Sequence, residues 1–243
     1  MTTIALHPAP DWRAVAREQF RATASLGRSE GALFLATALA VLTAMVTAHY
    51  RSGLLISFGY NYGASSVSAV VAFLMSAVIW RDEAIERRAY HWTMPLSRRR
   101  HTLLKTLAGL AWVLIGIAVY IALIAGAALV SRYPLSELGA AWEFIATFTS
   151  AAILYLLGSA AFVGSKRPGH WVLGVSVIYI LTWIVASRPT GFVGRFFQRI
   201  TSGELGMVHV VLGPAAMWWR ATLFWAVVAS LVYAVAVTRH RDA

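Results

Sequence analysis

The chain has 243 residues, 59% of them hydrophobic and only 13% charged, with a mean hydropathy of +0.66. Soluble domains carry roughly 45–50% apolar and 25% charged residues, so an ordinary soluble globule is excluded and the composition points to an all-α integral membrane protein with several spans. There is no cysteine, which removes disulfides, thiolate metal sites and a cysteine nucleophile, and the net charge of +11 reads as a membrane-topology signal and not as a nucleic-acid footprint.

Residues 1–30 hold the first predicted element. In DWRAVAREQFRATASL, at 100° per residue, Trp12, Val15, Ala16, Phe20, Ala22 and Leu26 share one arc, whereas Arg13, Arg17, Glu18 and Arg21 take the other. The pattern predicts an amphipathic elbow helix lying on the cytoplasmic membrane face. Residues 31–243 read as a transmembrane domain of six spans, at 31–48, 64–80, 103–130, 142–163, 171–186 and 217–237. The first apolar run follows a long basic segment and has no A-x-A-like cleavage site after it, so it is expected to be a retained anchor. Trp80, Trp142, Trp171, Trp218 and Trp219 fall at span ends, where an amphipathic indole prefers the membrane interface.

Within span two, Ser65, Ala69, Ala72 and Ser76 recur at four- and three-residue spacing, which puts four small side chains on one helical stripe. Such a stripe predicts close helix packing, either between protomers or against span five of the same chain. Beyond span five, FVGRFFQRI has Phe192, Val193, Phe196, Phe197 and Ile200 at helical spacing and predicts an interfacial helix. LGMVHVVLGP after it is apolar but too short to span, and predicts a re-entrant turn closed by Gly213 and Pro214. Together these form an external region at about 188–216.

Most of the 21 Lys and Arg residues precede span one, lie between spans two and three, follow span four or end the chain. The positive-inside rule makes that side cytoplasmic, so both termini are expected inside a cell membrane, the plasma or inner membrane of a bacterium.

The motifs that would signal chemistry are missing. There is no His-Glu-x-x-His, and GSKRPG at 164–169 lacks P-loop spacing, so this chain has no ATP site of that kind. The histidines His49, His91, His101, His170 and His209 lie at span ends or in loops, which leaves Ser159, in mid-span, without a base partner and argues against haem held between spans. Ser159 therefore reads as a small packing residue. No acid is in mid-span; Glu143, one residue into span four, is the nearest, and is expected at the outer interface beside Trp142. No catalytic residue, resident metal or cofactor is expected, and the chain does not read as an enzyme. A protein with this interior either draws its energy from a partner or acts passively.

The segment RRAYHWTMPLSRRR, from Arg87 to Arg100, separates spans two and three. Asp82 and Glu83 stand at its helical start, Glu83 and Arg87 are one turn apart, and Pro95 ends it, which predicts a cytoplasmic helix at about 82–92 joined to two spans. With this helix, the basic elbow, the six spans and the short external helices, the chain resembles the membrane subunit of an ATP-binding-cassette exporter of the type-2 permease family. The echo in residues is an acid after span two and then PLSRRRHTLLK, similar to the family's Pro-x-Ser-Arg followed by a lysine that opens span three; here these are Glu83, Pro95, Ser97, Arg98 and Lys105. Many family members carry Gly-Thr where this chain has Glu86 and Arg87. The resemblance implies that Asp82, Glu83, Glu86, Arg87, Pro95, Ser97 and Arg98 couple to an ATPase subunit. It further implies a dimer with a second permease protomer, and ATP and magnesium held by the partner chain. The rival reading is a membrane scaffold or assembly subunit that transports nothing.

Overall fold

The computed structural model describes residues 12–26, 65–81, 98–130, 132, 141–165, 168–186, 191–201, 203–212 and 215–239. The expected span 31–48, the helix at 82–92 and the positions Asp82, Glu83, Glu86, Arg87, Pro95 and Ser97 lie outside the described residues.

The described residues form helices α1 (Trp12–Leu26), α2 (Ser65–Arg81), α3 (Arg98–Val130) and α4 (Ala141–Gly164), then α5 (Pro168–Ala186), α6 (Gly191–Thr201), α7 (Met207–Leu212) and α8 (Ala215–Arg239), with no strand among them. Three of these, α3, α4 and α8, are long and apolar enough to cross a membrane, and α2 contributes a shorter apolar helix. At 1.5 Å per residue the 33 residues of α3 reach about 50 Å, well beyond a hydrocarbon core of about 30 Å. α3 starts five residues before the expected span because arginine is a good helix former, and Arg98, Arg99 and Arg100 make up its first turn. It ends at Val130, where Arg132 takes a left-handed φ of 56° and donates its N–H to the Leu129 carbonyl at 3.1 Å.

α4 is the hub. It packs most extensively against α2 and next against α8, while α3 closes the group. The core they enclose includes Ala72, Ile79, Trp80, Val113, Ile117, Ala151, Tyr155, Tyr233 and Ala236. α4 and α8 run parallel: Trp142 meets Trp218 near their first turns, with ring centroids 6.2 Å apart, and near their last turns a Cβ on Gly164 would lie 3.0 Å from that of Ala236. The residues between Gly164 and Ala215 must therefore carry the chain back along the whole bundle. α5, at 19 residues or about 28 Å, is the element among them long enough to do most of this.

The two ends of the bundle differ in charge. At one end lie Arg99, Arg100 and Lys105 from the start of α3, Arg81 at the end of α2 and Arg239 at the end of α8. This is called the basic end below. The opposite end carries Trp142, Glu143, α6 and α7, and an ion pair between Glu204 and Arg220 at 2.7 Å.

Candidate functional site

At the basic end α1 lies against α3. The Phe20 ring stacks on Trp112, with centroids 4.7 Å apart and 21° between planes, and the Trp112 Nε1–H donates to the Phe20 carbonyl at 3.1 Å. One residue before Phe20, Gln19 Nε2 is hydrogen-bonded with His101 Nδ1 at 3.3 Å. His101 and Trp112 are about 16 Å apart along α3, so α1 grips the first three turns of that helix. Amphipathicity explains the arrangement: Val15, Ala16 and Phe20 are partly covered, while Arg13, Arg17, Glu18 and Arg21 are exposed. The side chains of Trp12 and Arg98 lie outside the described residues.

Next to this contact the bundle encloses polar groups in an otherwise apolar core. Lys105 is buried, and its Nζ stands 4.9 Å from the centroid of the Trp80 ring. Trp80 is itself 5% exposed and faces the bundle, not the membrane interface expected from its place at a span end. One turn below Lys105, Thr106 Oγ1 and Tyr233 Oη share a buried hydrogen bond of 2.6 Å that ties α3 to α8. Most hydroxyls on these helices bond back to their own backbone: Ser76 to the Phe73 carbonyl at 2.6 Å, Thr147 to that of Glu143 at 2.9 Å, Ser150 to that of Thr147 at 3.2 Å. The Thr106–Tyr233 bond crosses between helices and has a testable weight. Tyr233→Phe or Thr106→Val should each cost about 1 kcal/mol, and the pair together less than the sum of the two, read as unfolding midpoints in a double-mutant cycle.

Tyr155 and Ser159 are fully buried on α4, and neither the Tyr155 hydroxyl nor Ser159 Oγ has a hydrogen-bond partner among the described residues. Tyr155 reaches α3 at Gly109, where a Cβ would run into its hydroxyl and come within 2.6 Å of Ile79 Cδ1. A turn away on α4, Gly158 leaves room for Ser76 of α2: a Cβ there would meet Ser76 Oγ, with Phe73 Cδ2 at 3.2 Å. Ala69, Ala72 and Ser76 are all buried, and α2 turns them toward α4 of the same chain, not toward span five. The side chain of Ser65 lies outside the described residues.

No family model, curated protein or solved structure matches this chain.

The opposite end has its own polar features. α6 presents an apolar face with Phe192, Phe196 and Phe197 exposed, and its last residue, Thr201, is buried and bonds back to the Phe197 carbonyl at 2.8 Å. α7 packs on α8, and the Trp225 Nε1–H donates to the Leu205 carbonyl at 2.8 Å, which fixes the turn before α7. Among the described residues there is no group of His, Asp or Glu spaced to hold a metal.

Lys105, Tyr155, Gly109 and the Thr106–Tyr233 pair carry no motif in the sequence. Lys105 appears there only as a charge at the start of a span, and nothing in its neighbours marks it as buried. The small residues Gly109 and Gly158 were the available signal, since close helix approach in lipid depends on such positions.

Proposed function

We propose that this chain is the permease subunit of an ATP-binding-cassette exporter in a cell membrane. Two protomers, identical or related, form the translocation path, and separate ATPase subunits bind ATP and magnesium and drive it. The observation that carries this reading is the common end of α2 and α3. α2 finishes at Arg81 and α3 starts at Arg98 at the basic end, beside α1 with its outward arginines. The positive-inside rule makes that end cytoplasmic, with both termini there, so segment 82–97 faces the compartment where an ATPase would dock. α3 is also the helix that α1 grips and that contributes Lys105, Thr106 and Gly109 to the polar core. A push on segment 82–97 would thus reach the α2–α4 contact, and switching there takes the form of rigid helices moving between two packings. The sequence has no P-loop, so the energy comes from the partner.

The test is gentle extraction from the native membrane followed by purification of the chain. A P-loop ATPase should co-elute in stoichiometric amount, and its hydrolysis should fall several-fold with Glu83→Lys, which puts a like charge one helical turn from Arg87, while Arg99→Gln leaves it near wild type. Absence of any ATPase, or hydrolysis indifferent to Glu83→Lys, would turn the reading toward a scaffold.

A further inference from the structure

At the end opposite the basic one, three polar atoms are closed off from solvent without a hydrogen-bond partner among the described residues: Glu143 Oε2, Trp218 Nε1 and Thr222 Oγ1. They come from two neighbouring helices. Glu143 is in the first turn of α4, directly after Trp142; Trp218 is in the first turn of α8, with Thr222 one turn further along the same face. The Trp142 and Trp218 rings, 6.2 Å apart and tilted by 49°, bring these two turns together. One turn further in, Ala146, Thr147 and Ala221 are buried.

A shielded carboxylate oxygen is expensive to leave without a countercharge, and an ionisable group inside an apolar helix contact marks a functional site with a missing partner. No cation among the described residues serves Glu143. Arg220, two residues from Trp218, is engaged with Glu204 and lies 5.3 Å from the centroid of the Trp219 ring. The groups left over specify the ligand: an anionic acceptor at Glu143, a hydroxyl at Thr222 able to accept, an N–H donor at Trp218, and two indole faces that attract a cation. A simple alkylamine would leave the indole N–H unanswered. A primary ammonium with an oxygen acceptor a few bonds away answers all of them.

We infer that Glu143, Trp218 and Thr222, flanked by Trp142, form a binding site for a primary ammonium group carrying a nearby oxygen acceptor, the chemistry of ethanolamine phosphate. The same chemistry occurs free in solution and as a phospholipid headgroup, and tryptophans at a helix end sit at headgroup level. The inference needs only the α4–α8 contact and does not depend on the exporter reading.

The experiment uses the full chain in nanodiscs and follows the thermal unfolding midpoint and calorimetric binding. In phosphatidylcholine and phosphatidylglycerol discs, ethanolamine phosphate should bind and raise the midpoint. Affinity should drop about tenfold with Glu143→Gln, which keeps the shape and removes the charge, and less with Thr222→Val. Glu204→Gln should leave it unchanged. Choline phosphate, whose quaternary nitrogen has no N–H to give, should bind more weakly. If the soluble probe is without effect but phosphatidylethanolamine discs raise the midpoint in a Glu143-dependent way, the source is the lipid headgroup and the site stands. If neither source produces a change that depends on Glu143, as when a bound water alone satisfies the three atoms, the inference is overturned.

Discussion

Replacing Gly109 with alanine is expected to destabilise the protein by about 2–3 kcal/mol, the cost of forcing one extra methyl into a packed core. The new Cβ meets the Tyr155 hydroxyl, which belongs to a rigid ring with no exposed side, so neither partner can step aside without opening the α3–α4 contact. Tyr155→Phe should partly restore stability in the Gly109→Ala background, because it deletes the atom in conflict and Ile79 Cδ1, at the tip of a flexible chain, can rotate. Alone, Tyr155→Phe should be neutral or slightly stabilising, since it removes a buried hydroxyl that has no partner among the described residues. Unfolding midpoints of the four proteins decide the matter. An unchanged midpoint for Gly109→Ala would mean that these helices do not approach as described.

A larger effect is expected at Ala72. Its side chain is 0% exposed at the α2–α4 contact, the most extensive in the bundle, and a tryptophan there should exceed 3 kcal/mol and prevent recovery of a monodisperse folded protein. Val71 is half-buried and so makes a poor control, whereas Val70 is 57% exposed and should accept tryptophan with wild-type yield. Size-exclusion profiles of the two variants after mild extraction supply the measurement. Equal profiles would remove the small-residue stripe from any role in packing.

The elements were readable in the sequence where one signal sufficed. Length and unbroken apolarity located the helices that became α2 to α5 and α8, to within a few residues. The polar arc of Arg13, Arg17 and Arg21 against Phe20 told which side of α1 would be covered, and the phenylalanine spacing located α6. Faces were not readable in the long helices, which are apolar all round and carry no direction in their periodicity. For that reason Trp80 was expected at an interface and is found against Lys105, and the stripe on α2 was left open to span five when its partner is α4. Glu143 was expected at the outer interface beside Trp142; in the structure one of its oxygens is closed off within the bundle. A single helix does not encode which neighbour it will meet; that depends on chain crossings set by elements far away.

The parallel pairing of α4 and α8 has a consequence for biosynthesis. Its contacts join residues about seventy positions apart, and the Thr106–Tyr233 bond spans 127. Helices made early in translation enter the bilayer with the groove for α8 vacant, and the buried hydroxyl of Thr106 waits for Tyr233 until nearly the whole chain has left the ribosome. Assembly is thus decided at the last helix inserted. A chain released before residue 215 would hold an unfilled seam along α4, the kind of surface that membrane quality control recognises and degrades.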